Sequence, residues 1–322
     1  MLRVSPLGAR IVSLTVAVAG TGAGAVAGER REVTCGVGDA AYLASEHFLG
    51  ASVGRYANRI ARGDLSLAGD RHRLATQPGG HTLHGGPDGF DKRVWAIAET
   101  SERHAVLSLD SPDGDQGFPG RLRATVRYVV TDDGLDVSYA ATTDAPTIVC
   151  LTNHTYFALG GEPGSGLGRD DVRRHRLQVS ADRYTPVDAE QIPTGEVAPV
   201  AGTPFDLRRP MLLADVVGAD HPQITGGLDH NLVLDDHPGP QIRLVSPEGD
   251  LTLEMTTDQP AVQVYAGHGL DQGRGAVYPA FAGIALETQV SPDTPHHPAW
   301  PSAVLRPGEE YRHHTSWRFL SH

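Results

Sequence analysis

The sequence predicts an all-β fold, a large antiparallel β-sandwich with few short helices, and three observations carry that expectation. Apolar residues recur with a period of two along much of the chain. Turn residues punctuate those runs at short intervals, with 38 glycines and 23 prolines in 322 residues. Stretches with room for a helix are brief. A content of 39% hydrophobic and 20% charged residues is that of an ordinary globular chain able to bury a large core. No low-complexity linker, composition break or internal repeat divides the sequence, so one domain over residues 1–322 is expected.

Taken in chain order, the first 31 residues admit two readings. Arg3 and Arg10 ahead of the apolar run Ile11 to Ala19, with Ala25-Val26-Ala27 behind it, have the outline of a secretion signal. The same run, Ile11 to Val18 with a Gly-rich turn after it, reads as a β-strand. Gly22-x-Gly24-x-x-Ala27 imitates a dinucleotide fingerprint, but "GERREVTCGVGD" follows and offers no helix N-terminus for a pyrophosphate. The Ala40 to Phe48 region allows a short helix. Gly50-Ala51-Ser52-Val53-Gly54 fits the nucleophile elbow of hydrolases, which requires strand, turn and helix; short β pieces follow instead, and Ser52 is expected to be structural.

"VWAIAET" and "AVLSLDS" then form a candidate hairpin across Ser101 to His104. The clearest hairpin is "RLRATVRYVVTDDGLDVSYAATT": Leu122, Ala124, Val126, Tyr128 and Val130 alternate with polar residues, Asp133-Gly134 turns the chain, and Leu135, Val137 and Tyr139 alternate again. Pro210 to Val217 allows a second short helix. Ile242 and Leu244, a Pro-Glu-Gly-Asp turn, and Leu251, Leu253 and Met255 make a third hairpin.

A net charge of −12 argues against phosphate-backbone binding, which gains affinity from concentrated Lys/Arg, and favours a neutral or cationic partner. No apolar run reaches the roughly 20 residues of a membrane helix. Cys35 and Cys150 make neither a disulfide framework nor a metal-ligand spacing, a usage that fits the cytoplasm.

Five segments combine ionisable or amide groups with aromatics, glycine and proline: "GRYANRI" (54–60), "HTLHGGPDGFDKRVW" (81–95), "CLTNHTYF" (150–157), "GLDHNLVL" (227–234) and "IALETQVSPDTPHHPAWP" (284–301). Together they supply carboxylates (Glu287, Asp229), imidazoles (His84, His154, His230), Asn58 and Arg59, and aromatic platforms (Tyr156, Phe157, Trp95). Directional polar groups beside apolar rings suit a sugar. A lone histidine among aromatics is ordinarily a satisfied structural residue, and only the company of the other groups lifts His154 above that reading. Metal binding is the competing use of such residues. No H-x-H, H-x-x-x-H or H-E-x-x-H spacing supports it, and the adjacent pairs His296-His297 and His313-His314 are expected to point opposite ways on a strand.

These segments resemble, in order and approximate spacing, those of the aldose 1-epimerase (galactose mutarotase) family. The resemblance runs from about Gly8 through Phe319 and includes "TPVD", "IPTGEVAPVAGTPFDLR" and "LRPGEEY". It implies a β-supersandwich with an open groove, and interconversion of the α and β anomers of a free hexose such as glucose or galactose without metal or organic cofactor. It also implies that Glu287, in "LETQ", is the general base and His154, in "TNHTYF", the general acid. Asn58, Arg59, His84 and Asp229 would hold sugar hydroxyls or polarise reacting oxygens. Ring opening needs one proton removed and another delivered, so an acid and a base with separable pKa values suit it independently of any resemblance. Apolar Ile284-Ala285-Leu286 beside Glu287 is consistent with burial that raises a carboxyl pKa.

Family members usually carry one or two further strands ahead of "LGARIVSL", so the expectation is either a truncated start or a sandwich that lacks an edge strand and exposes ladder groups. Cys150, His268, Ser291 and His297 replace more usual residues. Two alternatives to catalysis on a free sugar are a binding or regulatory module, which needs no acid or base, and an epimerase of sugar phosphates, for which Arg55, Arg59 and Arg62 are the candidate phosphate ligands. The expected state is a monomer or weak homodimer, cytoplasmic, with no nucleic-acid or membrane partner.

Overall fold

Alternation is realised most fully in the central hairpin. Leu122, Ala124, Val126 and Tyr128 point inward while Arg123 and Arg127 face solvent, and the strand pairs in register with Gly134–Thr143, Val130 opposite Leu135 and Leu122 opposite Thr143. The computed structural model describes residues 1–18, 30–161 and 171–322. This hairpin lies inside a nine-stranded antiparallel sheet whose order is Met211–Leu212, Arg176–Val179, Ile242–Val245, Leu251–Thr257, Tyr311–Ser321, Gly134–Thr143, Leu122–Val130, His104–Ser111 and Ala96–Thr100. All three hairpins read from the sequence are present in it.

A second antiparallel sheet has six strands, in the order Tyr156–Phe157, Ile284–Gln289, Ala261–Tyr265, Asp229–Val233, Arg183–Thr185 and Ala198–Pro199. One of its faces packs on the large sheet. Val262, Val264, Ile284 and Leu286 share a buried cluster with Val126, Val137, Leu253 and Trp317, and the Phe157 and Trp317 rings meet edge to face with centroids 4.9 Å apart. Each such apolar side chain removed from water contributes roughly 1.5–3 kcal/mol. The fold is the predicted β-sandwich. Among the described residues the α-helices are the short Asp39–Ala44 and Leu213–Val217, narrower than the two regions read from the sequence, and no helix is long and apolar enough to cross a membrane.

Arg10–Ala17 is a strand between Leu2–Ser5 and Arg30–Glu32, with Ile11 and Leu14 in the core, so the strand reading of this run is the one the fold uses, and Leu2–Ser5 is a strand ahead of "LGARIVSL" that covers one edge of it, contrary to the expected exposed edge. Gly22, Gly24 and Ala25 to Ala27, the positions of the fingerprint and the cleavage pattern, lie outside the described residues. Ser52 is structural: its buried Oγ contacts the hydroxyls of Tyr128 (3.1 Å) and Tyr139 (2.9 Å) and the carbonyl of Ala9. Cys35 and Cys150 are both buried, and Cys35 Sγ donates to the Ala282 carbonyl at 3.4 Å.

Candidate active site

The face of the six-stranded sheet turned away from the core carries the site, and strand register explains its membership. Glu287 lies opposite Gln263, which lies opposite Asn231; Ala285 lies opposite Tyr156 on one side and Tyr265 on the other, and Tyr265 opposite Asp229. Residues two apart share a face, so Glu287, Gln263, Tyr265, Asp229 and Tyr156 form one polar floor. Leu286, Val264 and His230 form the alternate row.

Three further segments build the walls. Thr152–Asn153 pairs with Ser52–Val53, and the peptide of His154 is clamped between Gly50 and Ala51 by N–H···O bonds of 3.0 and 2.8 Å. Asn153 braces this turn: its Oδ1 accepts from Thr155 N and Oγ1, while its Nδ2 donates to Gly50 O and Tyr128 Oη. Asn58, His84 and Phe48 all adopt left-handed backbone, φ 61°, 49° and 53°, a costly conformation that concentrates where geometry is functionally fixed. Gly85 lets the "HGG" turn press against the Gly54 peptide, where a Cβ would sit 1.8 Å from the Gly54 oxygen.

The resulting cleft has a volume of about 340 Å³, small on the scale of ligand pockets. All six residues named from the sequence line it: Asn58, Arg59, His84, His154, Asp229 and Glu287. His154 Nε2 faces Glu287 Oε1 at 3.6 Å, and both residues are nearly inaccessible, 4% and 2% exposed. Arg59 Nη2 lies 3.9 Å from Asp229 Oδ2, and Gln263 Nε2 donates to Asp229 Oδ1 at 2.6 Å. His154 Nδ1, Glu287 Oε2 and Gln263 Oε1 are buried without a protein partner, so hydrogen-bonding capacity is left for a ligand.

Burial sets the protonation of the site. It pushes the Glu287 carboxyl well above its ordinary range, reinforced by the charge of Asp229 and opposed by Arg59. It pushes His154 down to about 4, and His84 well below the usual imidazole range with help from His154 and Arg59. His84 has a fixed tautomer. The Asn58 N–H donates to its Nδ1 at 3.1 Å, so the neutral ring carries its proton on Nε2.

That tautomer decides a question sequence spacing could not address. His84, His154 and Glu287, far apart in the chain, offer ligand atoms within 4.8 Å of one another, the composition of a metal site. A ligating nitrogen needs a free lone pair, and the Nε2 of His84 holds a hydrogen instead. The cluster is a hydrogen-bonding set.

Several expectations are corrected. Phe157 and Trp95 are not platforms of the cleft: one residue beyond Tyr156, Phe157 points into the core, and Trp95 is buried against Phe90. His230 lies in the alternate row yet still reaches the cleft lining, packed on Phe205 with centroids 4.3 Å apart and bonded through Nε2 to Gln223 of the cleft wall. His296 and His297 do not lie on a strand; both turn toward Asp293, at 2.6 and 3.7 Å. Arg55, Arg59 and Arg62 do not converge as a phosphate site would require. Arg55 is buried on Ser111, Pro112, Pro119 and Gly120, and Arg62 is exposed beside Glu190.

Sequence reasoning missed Phe48 and Gln263. Phe48 lies over both imidazoles, 4.6 Å from His84 and 5.7 Å from His154 between ring centroids, and supplies an apolar wall. Gln263 is a polar side chain at the centre of the apolar strand "AVQVY", which was a readable signal.

The aldose 1-epimerase family profile matches residues 1–318. The chain is 44% identical over 284 residues to the aldose 1-epimerase of Escherichia coli (strain K12), across 85% of this chain and 80% of the bacterial one. It is 41% identical over 284 residues to the galactose mutarotase of Homo sapiens, across 86% and 80% of the two chains. Among solved structures it is similar to a GalM/aldose epimerase homologue from C. elegans, with a TM-score of 0.87 at 29% identity over 98% of this chain and 94% of that one. A galactose 1-epimerase from Lactobacillus acidophilus NCFM gives a TM-score of 0.84 at 29% identity, over 99% and 91%.

Proposed function

The chain belongs to the aldose 1-epimerase family, and we propose that it interconverts the α and β anomers of a free hexose, with Glu287 as general base and His154 as general acid. The Glu287 carboxylate takes the proton of the anomeric hydroxyl while the His154 imidazolium protonates the ring oxygen, and the C1–O5 bond opens. Rotation about C1–C2 presents the other face of the aldehyde. As the ring closes, Glu287 returns its proton to the carbonyl oxygen and His154 takes one back from the O5 hydroxyl.

The observation that carries this reading is the placement of an imidazole and a carboxylate 3.6 Å apart, both buried and each with an unpartnered atom. The oxygens they must serve are both bonded to C1, so acid and base have to be this close. The fixed Nε2–H of His84 donates to a sugar oxygen. Asp229, Arg59, Asn58 and Gln263 orient hydroxyls, and Phe48 and Tyr156 face the C–H surfaces. Several of the relatives are named for galactose, which makes galactose the first substrate to try, with glucose beside it. The dispersal of Arg55 and Arg62 favours a free sugar over a sugar phosphate. Each proton-transfer role is worth roughly a hundred- to ten-thousandfold in rate, which a binding module would have no use for.

Polarimetry on freshly dissolved α-D-galactose and α-D-glucose tests the proposal. Added protein is expected to accelerate the approach to anomeric equilibrium for at least one of them, and an unchanged rate for both rejects catalysis.

A further inference from the structure

Behind the acid–base pair lies a buried polar cluster that the chemistry above does not use. Thr288 follows Glu287 and therefore points to the opposite face of its strand, into the space between the two sheets. There it meets His313, from the long strand Tyr311–Ser321, which is buried while its neighbour His314 is exposed, the opposed pair expected from the sequence.

The hydrogen bonds of His313 fix its tautomer. Nδ1 lies 2.8 Å from the carbonyl of Leu151, which can only accept, so Nδ1 carries the hydrogen. In the neutral ring Nε2 is then an acceptor, and the hydroxyls of Thr288 and Thr315 lie 3.0 and 2.9 Å from it. Burial holds the imidazole neutral by pushing its pKa down to about 4. Leu151 stands three residues before His154, and Thr288 is bonded in sequence to Glu287. The ring thus ties the segment that carries the acid to the strand that carries the base. A second tie joins the same two segments: Thr152 Oγ1 donates to Thr288 O at 2.8 Å. The void that Thr152, Asn153, Thr288 and His313 help to line measures only about 10 Å³, so the pair has little room to recede from the cleft.

We propose that His313, acting through Thr288 and Leu151, is a positioning residue that sets the spacing between His154 and Glu287. The inference rests on the acid–base reading of those two residues. Its physical basis is that rate depends steeply on placement, a displacement of about 1 Å costing on the order of a hundredfold.

The test separates positioning from packing. Thr288→Val keeps the branched shape and removes the hydroxyl; Thr288→Ser keeps the hydroxyl and removes the methyl. With the bridge in control, Thr288→Val is expected to lower kcat on α-D-galactose by about tenfold or more with KM nearly unchanged, while Thr288→Ser stays close to the parent. A side chain needed only for packing gives the reverse order, and that result, or a fully active Thr288→Val, overturns the proposal. His313→Asn retains a group near the Nδ1 position and His313→Gln one near Nε2, so each keeps one end of the bridge; both are expected to lose kcat. If those two fail to fold, the Thr288 pair still decides. Glu287→Gln and His154→Ala measured alongside distinguish the two levels: activity in them removes the acid–base reading, whereas their inactivity beside a fully active Thr288→Val removes this inference alone.

Discussion

Replacing Glu287 by glutamine removes the proposed base with almost no change in volume, and the structure gives opposite expectations for activity and stability. Without a carboxylate, ring opening loses a contribution of about a hundred- to ten-thousandfold, equivalent to roughly 3–5 kcal/mol of barrier. Stability should move the other way. Burial raises the native carboxyl pKa well above its ordinary value, reinforced by Asp229, so the folded protein holds a proton that the unfolded chain releases. Such a group contributes fully below the unfolded pKa, and its contribution is lost as pH rises toward the folded one, at up to about 1.4 kcal/mol per pH unit. Glutamine has no proton to lose, and its amide has the unpartnered Oε1 of its cross-strand neighbour Gln263 as an acceptor nearby. The variant should therefore unfold at or above the parental temperature at pH 7, with the gap closing toward pH 4. Polarimetry measures the first effect and thermal unfolding across pH the second. Activity above about a tenth of the parent would refute the base assignment, and a variant less stable by the same margin at every pH would refute the protonated carboxyl.

Three further expectations follow from the same geometry. His154→Ala should lower kcat by about a hundredfold or more while the protein stays folded, and retained kcat in the polarimetric assay would remove His154 as the acid. Asp229 raises the Glu287 pKa and Arg59 lowers it, so the alkaline limb of the kcat profile should move to lower pH in Asp229→Asn and to higher pH in Arg59→Gln; shifts in the same direction would contradict the electrostatics. His154, His175, His230 and His313 are each pushed down to about 4 by burial, whereas an unfolded histidine titrates near 6.5. Their contribution to stability is complete above that range and is lost as pH falls toward 4, so melting temperatures recorded from pH 7 down to 4.5 should decline, and a flat series would count against buried neutral rings.

Much of the fold was legible because alternation is local. Leu122 to Tyr128 and Leu251 to Met255 declare a buried face within a few residues, and the turns between strands carry their own signals. The same parity extends past the hairpins into the site strands. If Tyr156 faces the cleft, Phe157 on the next position of the same strand faces the core. Pro295 and Pro298 flank His296 and His297, and a proline on each side disfavours a ladder, which is why this pair lies off any strand. Phe48 could not be found this way, because its segment has no periodicity and its left-handed backbone depends on tertiary contacts. The convergence of His84, His154 and Glu287 is beyond any spacing rule, since three separate segments meet only when the sheet forms.

The proton count of the pair ties burial to a reaction that must run in both directions. On the proposed assignment, ring opening begins with an ionised Glu287 and a protonated His154 and ends with the reverse, and ring closure retraces the exchange. One proton is present throughout. Burial without a ligand disfavours charge on either group, which favours the neutral arrangement, Glu287 protonated and His154 not. That arrangement is the one required by the open-chain sugar, whose carbonyl oxygen must receive a proton and whose O5 hydroxyl must lose one. The cyclic sugar requires the charged arrangement, which is stabilised only when hydroxyls and the Asp229–Arg59 pair surround it in the cleft. The limits of the pH profile therefore belong to the pair, one for the gain of a second proton and one for the loss of the last, and not to either residue alone. A more solvated pair would hold the charged state too firmly to serve the return step. Near-complete burial with the two atoms 3.6 Å apart opposes the charged arrangement, so the bound cyclic sugar must itself stabilise that arrangement for the proposed exchange to run.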